Sequence, residues 1–182
     1  MNIYQFFDDI GSAHPFYKMC IDRVRLAIPC NHKYTMIDGV KMDRPEVYTR
    51  SLRLNLLKDD PEGVWLDVDC IIGKWFDFEF EPEKPYVLRS GCSAAGMYSN
   101  GCTDTIKELL EEQQKKGACP CGAIRKMKDK FNFFPEGYIQ HLQFGHVLKR
   151  KIFNGTWKNK YCTIKKGAGG LPILIFNQTA GG

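Results

Sequence analysis

No apolar stretch in this 182-residue chain approaches the ~20 residues that cross a bilayer, so a helical membrane span is not expected. The first nine residues, Met1 to Asp9, carry no basic region and meet acids at once. They do not read as a signal peptide, and a cytoplasmic protein is the expectation. No tract is dominated by one residue type and no internal repeat is visible, which argues against disordered, fibrous and solenoid classes. Charge of one sign is barely in excess: 26 basic against 21 acidic residues give +5. That suits phosphate-bearing ligands but is too small to announce a nucleic-acid binder. Eight cysteines are present, yet paired C-x-x-C knuckles are absent. Cys92, Cys102 and the Cys119-Pro120-Cys121 pair therefore lack the spacing of common zinc sites, and reduced thiols are the main expectation. Gly167-Ala168-Gly169-Gly170 lacks the strand-to-helix context and the Lys-Ser end of a phosphate loop.

What is present is an ordinary globular composition, 43% hydrophobic and 26% charged, in a chain of one-domain length, so residues 1–182 are read as a single domain. Ile3 to Phe7 reads as a strand, and His14-Pro15 opens a helix that ends at Pro29-Cys30-Asn31. Lys33 to Ile37 is a second strand, and Pro45 starts a second helix that Asp59-Asp60-Pro61-Glu62-Gly63 breaks. Val64 to Ile72 follows as one strand. Tyr86 to Arg89 and Ala94 to Tyr98 read as further strands, Thr103 to Lys116 as a capped helix, Tyr138 to Lys149 as a helix, and Leu171 to Phe176 as a late strand. Strands alternating with helices at this spacing predict an α/β domain with a mostly parallel sheet flanked by helices.

Trp65-Leu66-Asp67-Val68-Asp69-Cys70 puts two carboxylates inside a strand-forming run. Alternation places Asp67 and Asp69 on one face and Leu66, Val68 and Cys70 on the other. Acids in a buried strand need a cationic partner or a metal, so the run is expected to end at a cleft, beyond the carboxyl edge of the sheet. Taken alone, Asp-x-Asp is a weak motif, and two solvated acids or a salt bridge to an arginine would also explain it.

Its surroundings are more specific. Thr49-Arg50-Ser51-Leu52-Arg53-Leu54-Asn55-Leu56-Leu57 precedes a Glu62-Gly63 turn, and Val64-Trp65-Leu66-Asp67-Val68-Asp69 comes next. This order resembles the GT-A glycosyltransferases, in particular the group of yeast initiating mannosyltransferases, capsular sugar transferases and clostridial glucosylating toxins. Those proteins carry s-D-x-x-R-x-x-x-L, a G-G loop, then an aromatic, an aliphatic and D-x-D. The match is good over residues 45–72 and weaker over 1–150, where Phe133-Phe134-Pro135 followed by a histidine is similar to a late segment of the group. Two positions depart: Arg50 stands where the group has its acid, and the double glycine is reduced to Glu62-Gly63.

The resemblance implies a GT-A-like (Rossmann-like) fold and a sugar transferase that uses a nucleotide-sugar donor (a UDP- or GDP-sugar) with Mn²⁺ or Mg²⁺, retaining anomeric configuration. It implies that Asp69 coordinates the metal and that Asp67 binds it or the sugar. Arg53 would steady an acid or a phosphate, and Arg50 would meet the diphosphate. Phe6, Phe7 and Asp38 would lie at the nucleotide, and His141 or His146 would complete the metal site. Acceptor candidates are a glycan, a protein or a modified nucleic-acid base. Arg50 and the basic run Arg125 to Lys130 also allow a degenerate, non-catalytic module that binds nucleic acid or protein.

Overall fold

The computed structural model describes residues 1–38, 45–76, 78–89, 93–116 and 119–142, with the backbone of three later strands at 156–158, 162–166 and 172–176. The central sheet begins with β1 (Asn2–Phe6), which pairs in parallel with β2 (Lys33–Ile37) on one side and β3 (Gly63–Leu66) on the other. β3 continues antiparallel to β6 (Gly96–Tyr98), β6 antiparallel to β5 (Tyr86–Val87), and β5 parallel to β7 (Asn132–Phe133). The order is β2-β1-β3-β6-β5-β7, and only β6 runs against the other five.

Local chemistry explains the connections. α1 (Pro15–Ala27) starts where Pro15 fixes the first turn and the His14 side chain accepts the Phe16 backbone N–H at 3.1 Å. Phe16, Cys20, Ile21 and Val24 form its buried stripe. α2 (Pro45–Asp59) ends at Asp60, whose carboxylate accepts the Glu62 N–H and ties Asn2 and Tyr4 of β1 through 2.8 Å bonds. Gly63 lies so close to this turn that a Cβ there would stand 3.1 Å from the Asp60 carbonyl oxygen and 3.0 Å from Leu57. The single glycine kept at this loop is thus a packing requirement.

Alternation along the strands divides the core between the two sheet faces. Phe6, Trp65, Val87 and Met97 meet α2, α3 (Thr103–Lys116) and α4 (Pro120–Lys126) through Leu54, Leu57, Ile106, Leu109 and Ile124. Ile3, Val64, Leu66, Tyr86 and Tyr98 face the other way, toward Val24 of α1 and an aromatic cluster that includes Phe76, Phe78, Phe80 and Phe134.

Three sequence expectations change. Val64 to Ile72 is not one strand: β3 stops at Leu66, residues 67–69 turn, and β4 (Cys70–Ile72) leaves the sheet to pair antiparallel with β8 (Ile139–His141). The cause is hydrogen bonding, because the Asp67 N–H goes to the Ala95 carbonyl at 2.7 Å and the Cys70 N–H returns to the Asp67 carbonyl at 2.8 Å. Tyr138 to His141 is accordingly turn and strand rather than helix, and the rest of that expected helix, with His146, lies outside the described residues. Ala94 to Tyr98 is a short 3-10 turn (Ser93–Ala95) followed by β6. Farther on, β9 (Thr156–Lys158), β10 (Cys162–Lys166) and β11 (Pro172–Phe176) form an antiparallel sheet in the order β11-β10-β9, and the expected late strand is β11.

Candidate metal and donor site

Beyond the carboxyl end of β3, Asp67, Asp69 and His141 bring one ligand atom each within 4.8 Å of one another. Among the described residues this is the only such group of histidine, cysteine and acidic side chains. Cys102, Cys119 and Cys121 form neither a disulfide nor such a group among the described residues, and Cys92 lies outside them.

Asp67 is held from the helical side. Its Oδ1 accepts the Trp65 indole N–H at 2.7 Å and lies 3.2 Å from the Arg53 guanidinium. Arg53 is only 6% exposed and its remaining donors are engaged, Nε on the Thr49 carbonyl at 3.1 Å and Nη1 on the Ala94 carbonyl. The guanidinium also lies over the Trp65 ring, 5.3 Å from its centroid. Burial pushes the Asp67 carboxyl up and the charge of Asp69 adds to that, while Arg53, Trp65 and His141 pull it down.

Asp69 is held from the other side. Its Oδ1 lies 3.1 Å from His141 Nε2, and its carbonyl accepts the Leu142 N–H at 2.9 Å. Antiparallel pairing of β4 with β8 sets Cys70 opposite His141 and so delivers the imidazole to the turn. Burial lowers the basicity of His141, but its hydrogen bond to Asp69 and the nearby carboxylates outweigh burial and hold it above the ordinary histidine range. His141 Nδ1 is buried with no hydrogen-bond partner among the described residues.

Two carboxylates and an imidazole form a donor set suited to Mn²⁺ or Mg²⁺, with hard oxygen ligands and one nitrogen. The same carboxylates that raise the basicity of His141 make a local negative field that a bound divalent ion would neutralise.

The other expected residues fall around this centre unevenly. Phe6 is buried in the helical-side core, with its ring 5.6 Å from that of Tyr48. Phe7, half-buried just past the end of β1, lies 5.3 Å from the ring of Tyr17. Asp38 is exposed past the end of β2, where its Oδ1 accepts the Ile10 N–H at 3.1 Å. Arg50 is half-buried one turn before Arg53, and its charge acts on the Cys119 thiol, which burial pushes up.

Two side chains at the site escaped the sequence reading. Trp65 reads as core packing, yet it donates to Asp67; its position two residues before the acid, on the same side of a strand, was the available signal. Tyr17 lies close enough to Asp69 for that charge to raise its hydroxyl, which burial and the charge together push up to about 12. No pattern in the sequence marked it.

No protein-family model matches the chain, and no curated protein does. Solved structures do resemble it. A glycosyltransferase involved in the glycosylation of the major capsid of PBCV-1 superposes with a TM-score of 0.57 over 78% of this chain and 92% of its own, at 7% identity. The apo-form glycosyltransferase GlyE of Streptococcus pneumoniae TIGR4 gives a TM-score of 0.51 at 11% identity over 84% of this chain, which spans 50% of the GlyE chain. Identities this low speak for the fold alone. The fold is the GT-A, Rossmann-like fold of glycosyltransferases.

Proposed function

We propose that this protein is a metal-dependent glycosyltransferase that moves a sugar from a UDP- or GDP-sugar to an acceptor hydroxyl with retention. The observation that carries the reading is the convergence of Asp67, Asp69 and His141 beyond the carboxyl end of β3 in a GT-A fold. Asp69 and His141 hold the cation directly, and Asp67 binds it or a donor hydroxyl. A cation held there would neutralise charge on the leaving diphosphate without proton transfer. Arg53 and Trp65 orient Asp67 and oppose the burial that pushes its carboxyl up. Phe7 and Tyr17 offer aromatic surface for the nucleobase, and Arg50 supplies positive charge toward the phosphates. No general base is assigned, in keeping with retention.

The nucleic-acid-binding alternative loses part of its motivation. Within the basic run, Lys126 lies 3.5 Å from Glu112 and Lys130 lies 2.6 Å from Glu108, so two of its charges are already compensated by α3. No helix among the described residues is long and apolar enough to cross a membrane.

The test is a thermal-shift series with Mn²⁺, nucleotide-sugars and both together. A ligand that binds only the folded chain at a hundredfold its Kd adds about 2.7 kcal/mol of apparent stability. The expected result is a Tm rise with Mn²⁺ that grows when a matching UDP- or GDP-sugar is added and vanishes in Asp69→Asn. Equal melting of wild type and Asp69→Asn under every condition would overturn the reading.

A further inference from the structure

A cleft lies beside the ligand cluster on the side opposite β1 and β2, and of the residues lining it the donor chemistry above uses His141 alone. Its near part, a cavity of about 260 Å³, includes His141 itself, with Gln140, Glu136, Arg89 and Phe134 in its wall. Arg89 and Pro135 also bound a second cavity of about 440 Å³, which continues past Asn132, Phe133, Glu79 and Glu81. The two spaces share Arg89 and Pro135 in their walls, one reaching the ligand cluster and the other the edge strand β7.

Three features of the far part point to a polyhydroxylated ligand. Phe133 is 39% exposed on that edge, with the Arg89 guanidinium 5.3 Å from its ring centroid. An exposed ring of this kind offers a flat surface to the C–H face of a pyranose. Asn132 Nδ2 is buried without a hydrogen-bond partner among the described residues, a donor whose neglect costs about 1–3 kcal/mol unless a ligand meets it. Glu79 and Glu81 are exposed carboxylates, so acceptors lie beside the donors of Arg89 and Asn132, the mixture that adjacent hydroxyls require. The same two acids repel phosphate. The near part is smaller than the ~300–1,000 Å³ of ordinary small-molecule pockets, which suits one ring at a time.

We infer that this cleft binds the acceptor, and that the acceptor is a neutral oligosaccharide of at least two units. One unit lies in the cavity at His141 and the next against Phe133. The inference rests on the glycosyltransferase reading for its meaning, but the binding it describes needs neither metal nor donor.

The test uses ¹⁵N-labelled full chain without metal or nucleotide. The probes are neutral trisaccharides of glucose, galactose, mannose and N-acetylglucosamine, the matching monosaccharides, a 12-nucleotide single-stranded RNA and an extended peptide of β-forming sequence. At least one trisaccharide should saturably shift the Asn132 side-chain amide and the Phe133 backbone amide, and should bind at least tenfold more tightly than its monosaccharide. Phe133→Ala should weaken that binding roughly tenfold, and Glu79→Gln should weaken it too. The inference fails if no trisaccharide shifts these signals, if the monosaccharide binds as tightly, or if Phe133→Ala binds like wild type. It also fails if the RNA or the peptide is the probe that shifts them. Should Mn²⁺ and nucleotide-sugars leave melting unchanged while a trisaccharide still binds, the donor reading alone is lost.

Discussion

Asp67 and Asp69 are two residues apart, yet each is held by a different half of the molecule. Asp67 belongs to the helix-covered face, where α2 supplies Arg53 and β3 supplies Trp65, both directed at Oδ1. Asp69 belongs to the opposite side, where β8 supplies His141 and α1 supplies the neighbouring Tyr17. The first arrangement is an anchor. Arg53 is fixed by its own bonds to Thr49 and Ala94, and Trp65 by its burial in the core. The second is an exchangeable pair, because the imidazole that meets Asp69 is itself a metal-ligand type. A site that must take up and release a cation gains from one carboxylate held rigidly and one whose partner can turn to the metal.

The largest effect that separates the two sides is expected from Arg53→Ala. It leaves the half-buried Asp67 carboxylate beside Asp69 with its cation gone, a loss approaching the ~3–5 kcal/mol of a fully buried pair. Urea unfolding should show that loss, and Arg53→Lys should restore only part of it because an ammonium cannot reach Thr49, Ala94 and Asp67 together. A near-neutral Arg53→Ala would mean that Asp67 needs no anchor.

Gly73→Ala addresses the other side. A Cβ at Gly73 would overlap the Gly137 carbonyl oxygen, at the point where the Gly73 N–H bonds the Tyr138 carbonyl at 2.9 Å. Gly137 itself has a φ of +89°, a conformation that other residues rarely adopt. Forcing β4 away from β8 should cost about 1–3 kcal/mol and should weaken Mn²⁺ binding out of proportion, since His141 moves with β8. Calorimetric titration of Mn²⁺ into folded Gly73→Ala would check this; unchanged affinity would show that the strand pairing does not set the ligand geometry.

The smallest expected effect is that of Trp65→Phe, which keeps most of the ring packing and deletes one charge-assisted hydrogen bond. A loss of about 1–2 kcal/mol is expected, with Mn²⁺ affinity reduced less than in Gly73→Ala. The reverse order of metal affinities would place the controlling contacts on the helical side.

Much of the fold was legible in the sequence. Pro15 and Pro45 mark the starts of α1 and α2, the Asp60 turn marks the end of α2, and the order of the first elements follows from alternating periodicities. Legibility ended at the acid turn. A run of β-formers with acids at alternate positions is indistinguishable, one residue at a time, from a continuous strand. What interrupts it is the Ala95 carbonyl, which takes the Asp67 N–H from a distant part of the chain. The run from Tyr138 was misread for a related reason. Tyr138 and Leu142 stand at helical spacing, and pairing with β4 overrides that local preference.

The sequence by itself determined the α/β class, the helix-borne arginine and the placing of two acids in a strand-forming run behind it, because periodicity, capping and turn chemistry act over a few neighbouring residues. Only the tertiary structure decided that the acids sit in a turn, that Trp65 and Arg53 share one of them, and that His141, on a strand, meets the other. Those outcomes depend on which distant strands find each other, and strand pairing is set by the packing of the whole sheet.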